Sequence, residues 1–353
     1  MKINALVLVV LFLVVSILLS GCSTGLMPAS WPGITADAET AYVAAGPQVY
    51  AVKLSNGSEL WRFPEKPSSQ KPYFAAPALT PDGQLIVGGF DTVLYSLDPA
   101  DGAINWTFEG SRDRWIGSVL VANDLIYAPS ADYKLYALNL EGELQWTFQA
   151  GQALWAAPVS DGERVYLTSL DHQVYALNAR TGEKIWATPL DGAVLGTPAL
   201  GLDGTLYVGT FGGTMFALDA ASGEARWQVP SSGWIWGGAA LDADNLYFGC
   251  ADGEFYSFTL ADGRKNWQLQ PNGPILGSPL VVGDLVMFGT ESGSLYTVDR
   301  QGKTNEMTIG GKLYGTPVMA GDLILVAPVE ADNILIALDL NGVRQWAFTP
   351  AKK

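Results

Sequence analysis

Few side chains of this sequence could carry out acid–base or metal chemistry. His172 is the only histidine of the 353 residues and stands in a turn, so neither a Ser-His-Asp triad nor a multi-histidine metal site can form around it. Asp132, Asp171 and Asp252 recur in equivalent turns, as the aspartates of a repeated unit do. Segment 241–245 resembles half of a calcium loop but lacks its spaced ligands and terminal glutamate. We therefore predict no catalytic residues, no metal site and no enzymatic activity.

The cysteine near the N-terminus, Cys22, is a candidate for covalent lipidation. Residues 3–19 are almost entirely apolar, follow a lone lysine and lead into Leu19-Ser20-Gly21 before Cys22. This order is typical of a lipoprotein signal peptide over residues 1–21, with Cys22 becoming the lipidated first residue. The alternative is an uncleaved membrane helix, for which the apolar run is barely long enough. Lipid chains on Cys22 would anchor the protein through a tether, residues 22–30.

The residue after Cys22 indicates where the protein is located, and its net charge limits which partners it can bind. Ser23 predicts the periplasmic face of the outer membrane in a host with two membranes, and the outer face of the cell membrane in a host with one. Removal of the signal peptide leaves 19 basic and 35 acidic residues, which makes nucleic acid an excluded partner, because phosphate binding needs clustered cations. The remaining cysteine, Cys250, ends a predicted strand and is expected to be a buried thiol.

A tryptophan repeat organises the rest of the chain. Seven tryptophans each follow a glycine by four residues, and six of them are 40 to 45 residues apart: Trp61, Trp106, Trp146, Trp186, Trp227, Trp267 and Trp346. An eighth copy begins at Gly302 but has Glu306 in place of tryptophan. We predict that Glu306 weakens that unit, that Met307 fills the gap, and that Glu306→Trp is neutral or stabilising. A period near 40 is typical of propeller blades and of helical arrays.

The composition of one unit decides between those two folds. Four short segments, separated by Gly and Asp breaks, run from Leu195 to Val229 and show no helical period. In the last hairpin, Asp219 and Gly223 supply the turn, and Trp227 follows on the outer strand, where its indole can pack between blades. The sequence thus predicts an all-β fold, an eight-bladed β-propeller of four-stranded antiparallel blades over residues 31–350, closed by packing blade eight on blade one.

The run Ala-x-Asp-x-x-Ser-Gly-x-x-x-Trp at 217–227 resembles the repeat of pyrroloquinoline quinone (PQQ)-type, quinoprotein-like β-propellers. A lipidated propeller of this type is similar to the BamB family of outer-membrane assembly lipoproteins. That resemblance implies a non-catalytic scaffold whose partner is the barrel-assembly machinery in a host with an outer membrane. Quinone dehydrogenases with the same repeat hold PQQ beside an adjacent cysteine pair and a calcium ion. This chain lacks the pair, so we predict neither cofactor and disfavour a PQQ-dependent dehydrogenase.

The residues just before the first strands of the blades are a feature that the repeat alone does not explain. Large or charged side chains precede the first strand of several blades: Phe74, Arg112, Arg114, Trp115, Trp155, Trp234, Trp236 and Tyr314. If the first strand is innermost, these side chains surround one mouth of the central channel. Two interpretations stay open, packing between blades or an exposed interaction surface. We predict a membrane-anchored envelope scaffold for protein–protein interaction, with binding of a small ligand or glycan at the aromatic-rimmed mouth as the alternative.

Overall fold

A computed structural model describes residues 31–351, and this part of the chain is built from 32 β-strands. The predicted signal peptide, the tether and Cys22 lie outside the described residues. Within the described range no helix is long and apolar enough to cross a membrane.

The first half of the chain forms four blades. Their strands are β1 (Gly33–Ala36), β2 (Thr40–Ala45), β3 (Gln48–Lys53) and β4 (Glu59–Phe63); β5 (Ala78–Leu79), β6 (Leu85–Gly88), β7 (Leu94–Leu97) and β8 (Ile104–Phe108); β9 (Leu120–Ala122), β10 (Leu125–Pro129), β11 (Lys134–Asn139) and β12 (Leu144–Gln149); β13 (Val159–Ser160), β14 (Arg164–Thr168), β15 (Gln173–Asn178) and β16 (Lys184–Pro189).

The second half repeats the plan in four more blades. Their strands are β17 (Ala199–Leu200), β18 (Thr205–Gly209), β19 (Thr214–Asp219) and β20 (Ala225–Pro230); β21 (Ala240–Leu241), β22 (Asn245–Gly249), β23 (Phe255–Thr259) and β24 (Lys265–Leu269); β25 (Leu280–Val282), β26 (Leu285–Gly289), β27 (Ser294–Asp299) and β28 (Thr304–Thr308); β29 (Val318–Ala320), β30 (Leu323–Val326), β31 (Leu335–Leu338) and β32 (Arg344–Phe348).

Each blade is a sheet of four consecutive antiparallel strands, so the predicted eight-bladed propeller is confirmed. The middle strands are buried on both faces, because each blade is covered by a blade on either side, and they are correspondingly rich in Val, Leu, Tyr and Phe. The fourth strands alternate between exposed and half-buried residues, as expected at the outer edge of the ring. Apolar side chains of adjacent blades form the core clusters between them.

The last hairpin of blade five follows the predicted chemistry. In blade five the Asp219 carboxylate accepts hydrogen bonds from the backbone N–H groups of Ala221 and Ser222, and Gly223 adopts a φ of +76°. A hydrogen bond from Arg226 and these N–H groups lower the pKa of Asp219 to about 2. A β-bulge beside Ala217 then places Trp227 directly opposite that small residue.

The repeat tryptophans connect the blades, as the sequence predicts. Each indole Nε1–H donates to a backbone carbonyl of the next blade along the ring. The acceptors are Pro99 O for Trp61 (2.8 Å), Leu140 O for Trp106 (2.9 Å), Ala179 O for Trp146 (3.2 Å), Ala220 O for Trp186 (3.1 Å), Leu260 O for Trp227 (2.9 Å), Arg300 O for Trp267 (3.0 Å) and Leu54 O for Trp346 (2.6 Å). The last of these bonds joins blade eight to blade one, and β1 packs beside β29, so the ring closes without a shared strand.

Blade seven differs from the prediction in one respect. Its third and fourth strands pair without the bulge, so Glu306 lies opposite Tyr296 and its side chain does not take the tryptophan position. The Glu306 carboxylate instead accepts hydrogen bonds from Ser294 and Asn272, at 2.7 and 2.8 Å. The Met307 side chain packs on Gly342 of the next blade, in the space left by the missing Cβ. In the other blades, the repeat tryptophan packs on the equivalent glycine. We therefore correct the expectation for Glu306→Trp, which removes two hydrogen bonds and should destabilise blade seven.

Met307 accordingly packs blade seven on blade eight at the position that tryptophan takes in the other blades. Replacing it with alanine should lower the free energy of unfolding by about 1–3 kcal/mol, because the half-buried thioether leaves a cavity against Gly342. Thermal unfolding followed by circular dichroism measures the loss. Met307→Leu, which keeps the volume, is the control and should stay close to the parent protein. Equal melting temperatures for all three proteins would show that this contact contributes nothing.

Candidate functional site

The segments that lead into the eight first strands converge on the central axis. Each offers one large side chain, followed by Gly, Ala or Pro and then by a small residue. The large side chains form the mouth ring: Trp31, Phe74, Ile116, Trp155, Leu195, Trp236, Leu276 and Tyr314. With the small residues beneath them, they line a central cavity of about 520 Å³. Every blade therefore contributes an apolar residue to one opening.

Small residues behind the mouth ring let the segments pack against one another. A Cβ at Gly196 would stand 2.6 Å from the carbonyl oxygen of Gly237, and one at Gly237 would stand 2.7 Å from the backbone of Gly277. Glycine is required at such places because only a hydrogen side chain allows backbones so close together. Below the mouth ring, the channel wall is thus formed largely by backbone and by small residues such as Ser278 and Thr316.

Aromatic rings cover one sector of the mouth. Trp31, from blade one, reaches Trp236 of blade six with 4.6 Å between ring centroids, and Tyr314 of blade eight at 5.3 Å. Phe211, in the second hairpin of blade five, contacts Trp236 at 5.1 Å. The Tyr314 hydroxyl donates to Glu291 at 2.9 Å, and this hydrogen bond fixes the tilt of its ring.

The opposite sector carries the charge of the mouth. Phe74 stacks on Phe90 with centroids 4.4 Å apart, and the Arg114 guanidinium lies 5.0 Å from the centre of the Phe90 ring. Arg114 also forms an ion pair with Asp113, which is half-exposed and contributes little to stability. Among the residues that line the cavity, Arg114 is the charged one, so the mouth combines aromatic faces with a single cation.

Trp155, which lines the cavity, has an indole N–H group without a hydrogen-bond acceptor in the described part of the chain. Its Nε1 atom is buried and has no hydrogen-bond partner among the described residues, although each of the seven repeat tryptophans donates from Nε1 to a backbone carbonyl. A buried N–H without an acceptor costs free energy. The Trp155 ring lines the cavity, but its Nε1 atom is not exposed to that cavity.

Three residues predicted for the mouth lie elsewhere. Trp115 is 1% exposed, donates from Nε1 to Thr92 O at 3.0 Å and packs between blades two and three, where the apolar core needs a large side chain. Its successor Ile116 takes the place in the mouth ring. Trp234 stacks on Phe211 outside the cavity and is 58% exposed. Arg112 is exposed, and its backbone N–H donates to Asp132. Phe74, Arg114, Trp155, Trp236 and Tyr314 do line the cavity.

Sequence reasoning missed Trp31, Ile116, Phe90 and Phe211. Trp31 and Ile116 could have been found by aligning the eight segments on their small residues. In every segment, the mouth-ring residue stands directly before the Gly, Ala or Pro that packs on the neighbouring segment. Trp31 before Pro32 and Ile116 before Gly117 follow this pattern. Phe90 and Phe211 follow the second strands and share an equivalent hairpin position, which comparison of blades two and five would have shown.

The titratable groups around the mouth are structural. Burial acts to raise the pKa of Asp132, but hydrogen bonds from the Tyr136 hydroxyl and the Arg112 N–H outweigh it and lower that pKa below its ordinary value. His172 lies in a turn with a φ of +67°, and Cys250 is fully buried beside Ser232. No group of three or more potential metal ligands occurs within residues 31–351.

Comparison with known proteins agrees with this architecture. The sequence model of a PQQ-repeat family, described as outer membrane protein assembly factor BamB, matches residues 45–168, 151–201 and 173–311. BamB from Moraxella catarrhalis has a similar solved structure, with a TM-score of 0.72, 19% identity and coverage of 86% of this chain and 92% of that one. The computationally designed Ika8 protein is similar too, with a TM-score of 0.74, 13% identity and coverage of 85% and 94%.

No curated protein sequence matches the chain, so the family assignment rests on the family match. That match extends over well more than half of the chain, and the solved structures show the same fold. The repeats it recognises are the blades whose tryptophans bond to the next blade. The chain therefore belongs to the PQQ-repeat propeller family described as outer membrane protein assembly factor BamB.

Proposed function

We propose that this protein is a non-catalytic scaffold, anchored to the cell envelope by lipid on Cys22, that works by binding other proteins. In a host with an outer membrane, its partner would be the barrel-assembly machinery at the periplasmic face of that membrane. In a host with one membrane, the protein would act on the outer face. The family match over residues 45–311 is the observation that carries the proposal.

The geometry of the propeller supports a binding role. Eight outer strands form the edge of the ring, and an exposed strand edge can pair with a strand of a partner protein. Catalysis needs a nucleophile, an acid or a base held at one point. The aspartates nearest to the mouth, such as Asp132 and Asp171, accept hydrogen bonds from tyrosines of their own blades.

The proposal includes no quinone cofactor and no calcium. The sequence has two cysteines, Cys22 and Cys250, which are far apart, so it cannot form the adjacent pair of the quinone dehydrogenases that it resembles. Dye-linked dehydrogenase assays with added PQQ and calcium should show no turnover of alcohols or sugars.

Deletion of the gene in a host with an outer membrane tests the scaffold directly. Fewer barrel proteins should reach the folded, heat-modifiable form in the outer membrane, and a plasmid copy of the gene should restore them. The periplasmic chaperone content serves as the control for a general stress response. Unchanged levels of folded barrel proteins would argue against an assembly role.

The proposed lipid anchor on Cys22 can be tested separately. Cys22→Ala should abolish lipidation, so the variant should lack the lipid mass that the parent protein carries. Fractionation with an intact-mass measurement checks this, and Ser23→Ala is the control that keeps the cysteine. A membrane-bound parent protein that carries no lipid and keeps its first 21 residues would show that the apolar run is an uncleaved helix instead.

A second candidate function follows from Trp155. Its ring lines a cavity of about 520 Å³, a volume suited to a small ligand. A short sugar or peptide could stack on Trp155, Trp236 or Phe74. Titration of soluble oligosaccharides and short peptides, followed by tryptophan fluorescence, should then give saturable quenching that Trp155→Phe weakens.

A further inference from the structure

The described chain begins at the aromatic mouth. Trp31 is its first residue, and its ring lies within 5.3 Å of both Trp236 and Tyr314, measured between ring centroids. The chain therefore reaches the propeller near the central axis, on the face where the mouth opens. The predicted lipid-bearing Cys22 precedes Trp31 by nine residues.

Nine residues limit how far the mouth can stand from the lipid. Fully extended, they reach roughly 30 Å. A path from the mouth to the opposite face must first cross a blade, where three gaps between strands amount to roughly 14 Å. It must then descend along a strand of about five residues, or roughly 17 Å, without counting the distance from the axis to the first strand. The tether is therefore too short to bring the opposite face onto the membrane.

Exposed aromatic side chains mark the same face. Within residues 31–351, Trp234 and Tyr133 are the aromatic residues with exposed side chains, at 58% and 46%. Trp234 stacks on Phe211 beside the mouth ring. Tyr133 lies in the hairpin after β10, in which the Ala131 N–H donates to the Arg114 carbonyl at 3.1 Å. Tryptophan and tyrosine are enriched at the level of lipid headgroups, where an apolar ring with a polar edge is stable.

Carboxylates surround the opposite face. The turn between the first and second strands of every blade carries an aspartate, from Asp37 in blade one to Asp322 in blade eight. These turns point away from the mouth, because the first strands run from the mouth to the other face. Anionic lipids repel such a ring of carboxylates, and the mouth face has acidic turn residues too, such as Asp132 and Asp171, so charge alone does not choose between the two faces.

We infer that the mouth face of the propeller lies against the membrane, with Trp234 and Tyr133 in the headgroup region of a phospholipid surface. The acidic opposite face and the outer strands are then the surfaces left for protein partners. This inference rests on the lipid anchor of the proposed function but is independent of which protein is bound.

Site-directed fluorescence tests the orientation. Lipidation consumes the Cys22 thiol and Cys250 is fully buried, so a single introduced cysteine can be labelled in the natively lipidated protein. Suitable exposed sites are Asp332→Cys on the mouth face, Thr147→Cys on an outer strand and Glu141→Cys on the opposite face. The proteins are reconstituted in phosphatidylcholine vesicles that contain a lipid with a nitroxide on its headgroup, which quenches nearby fluorophores.

Quenching should be strongest at the Asp332→Cys label, weaker at Thr147→Cys and lost at Glu141→Cys. In a background of Trp234→Ala and Tyr133→Ala, the Asp332→Cys signal should fall towards that of Thr147→Cys. Strongest quenching at the outer strand or the opposite face, or equal quenching at all three sites, overturns the inference, as does an unchanged signal in the double variant. Intact mass is measured first, because a protein without lipid refutes the proposed anchor rather than the orientation.

Discussion

Replacing Trp346 with alanine should lower the free energy of unfolding by about 3 kcal/mol, the lower end of the usual cost of truncating a large aromatic side chain. Trp346 packs on Gly57 and donates to Leu54 O at 2.6 Å, so it connects the last blade to the first. For a ring of about 320 residues, this loss corresponds to a decrease of roughly 4–5 °C in melting temperature.

The matched variant is Trp186→Ala, which removes the same contact between blades four and five. Because each blade packs on its neighbours alone, the closing interface should be as important as an interior one, and both variants should lose similar stability. Trp346→Phe keeps most of the packing and should lose only about 1 kcal/mol with the hydrogen bond. Differential scanning calorimetry compares the three proteins. A harmless Trp346→Ala beside a damaging Trp186→Ala would mean that the ring is not closed in solution.

Gly142→Val should cost about 3–5 kcal/mol, which makes it the most damaging single change that we predict. Gly142 has a φ of +82°, a conformation that a β-branched residue adopts only with strain. A Cβ at this position would also stand 2.6 Å from the Trp106 ring, which packs directly on the glycine. The substitution therefore strains the turn and displaces the tryptophan that joins blade two to blade three.

Gly83→Val separates these two effects. Gly83 has nearly the same φ, +84°, but a Cβ there would meet nothing within 4 Å. The Gly83→Val protein should thus lose only the cost of the left-handed backbone, about 1–2 kcal/mol. Chemical denaturation of both variants, with the same slope assumed for each, gives the difference directly. Equal losses would show that the tryptophan contact does not constrain Gly142.

The fold could be predicted from the sequence because its determinants are local and repeated. A glycine with positive φ and a tryptophan four residues later mark the outer hairpin of seven blades, and the recurrence of that glycine near every 40 residues counts all eight. Even the small residue opposite each tryptophan, such as Ala217 opposite Trp227, follows from the spacing within the repeat.

The candidate site was less predictable, because a shift of one residue along the chain decides whether a side chain lines the channel or packs between blades. Trp115 and Ile116 are neighbours, yet one is buried between blades and the other lines the channel. Blade seven lacks one bulge, which moves Glu306 off the interface and leaves Met307 in contact with Gly342. The approach of Trp31 to Trp236 depends on where two distant segments meet across the axis, and no local pattern encodes that distance.

Function is separate from fold in this architecture. The designed Ika8 protein and the BamB of Moraxella catarrhalis have similar TM-scores against this chain, so the eight blades alone do not imply a partner. The present chain combines an aromatic mouth with a predicted lipid anchor that precedes the first mouth residue by nine positions in the sequence. These features together suit a scaffold that is held close to a membrane and presents its other surfaces to proteins.

Cross-linking of the lipidated protein in its native envelope, followed by affinity capture and mass spectrometry, tests the scaffold role most directly. A photo-crosslinker at Glu141 or Thr147 reports on the surfaces left free for proteins, and one at Asp332 reports on the mouth face. In a host with an outer membrane, we predict that the barrel insertase is recovered from Glu141 or Thr147 and not from Asp332. Recovery of no protein from any of the three positions would contradict the scaffold role.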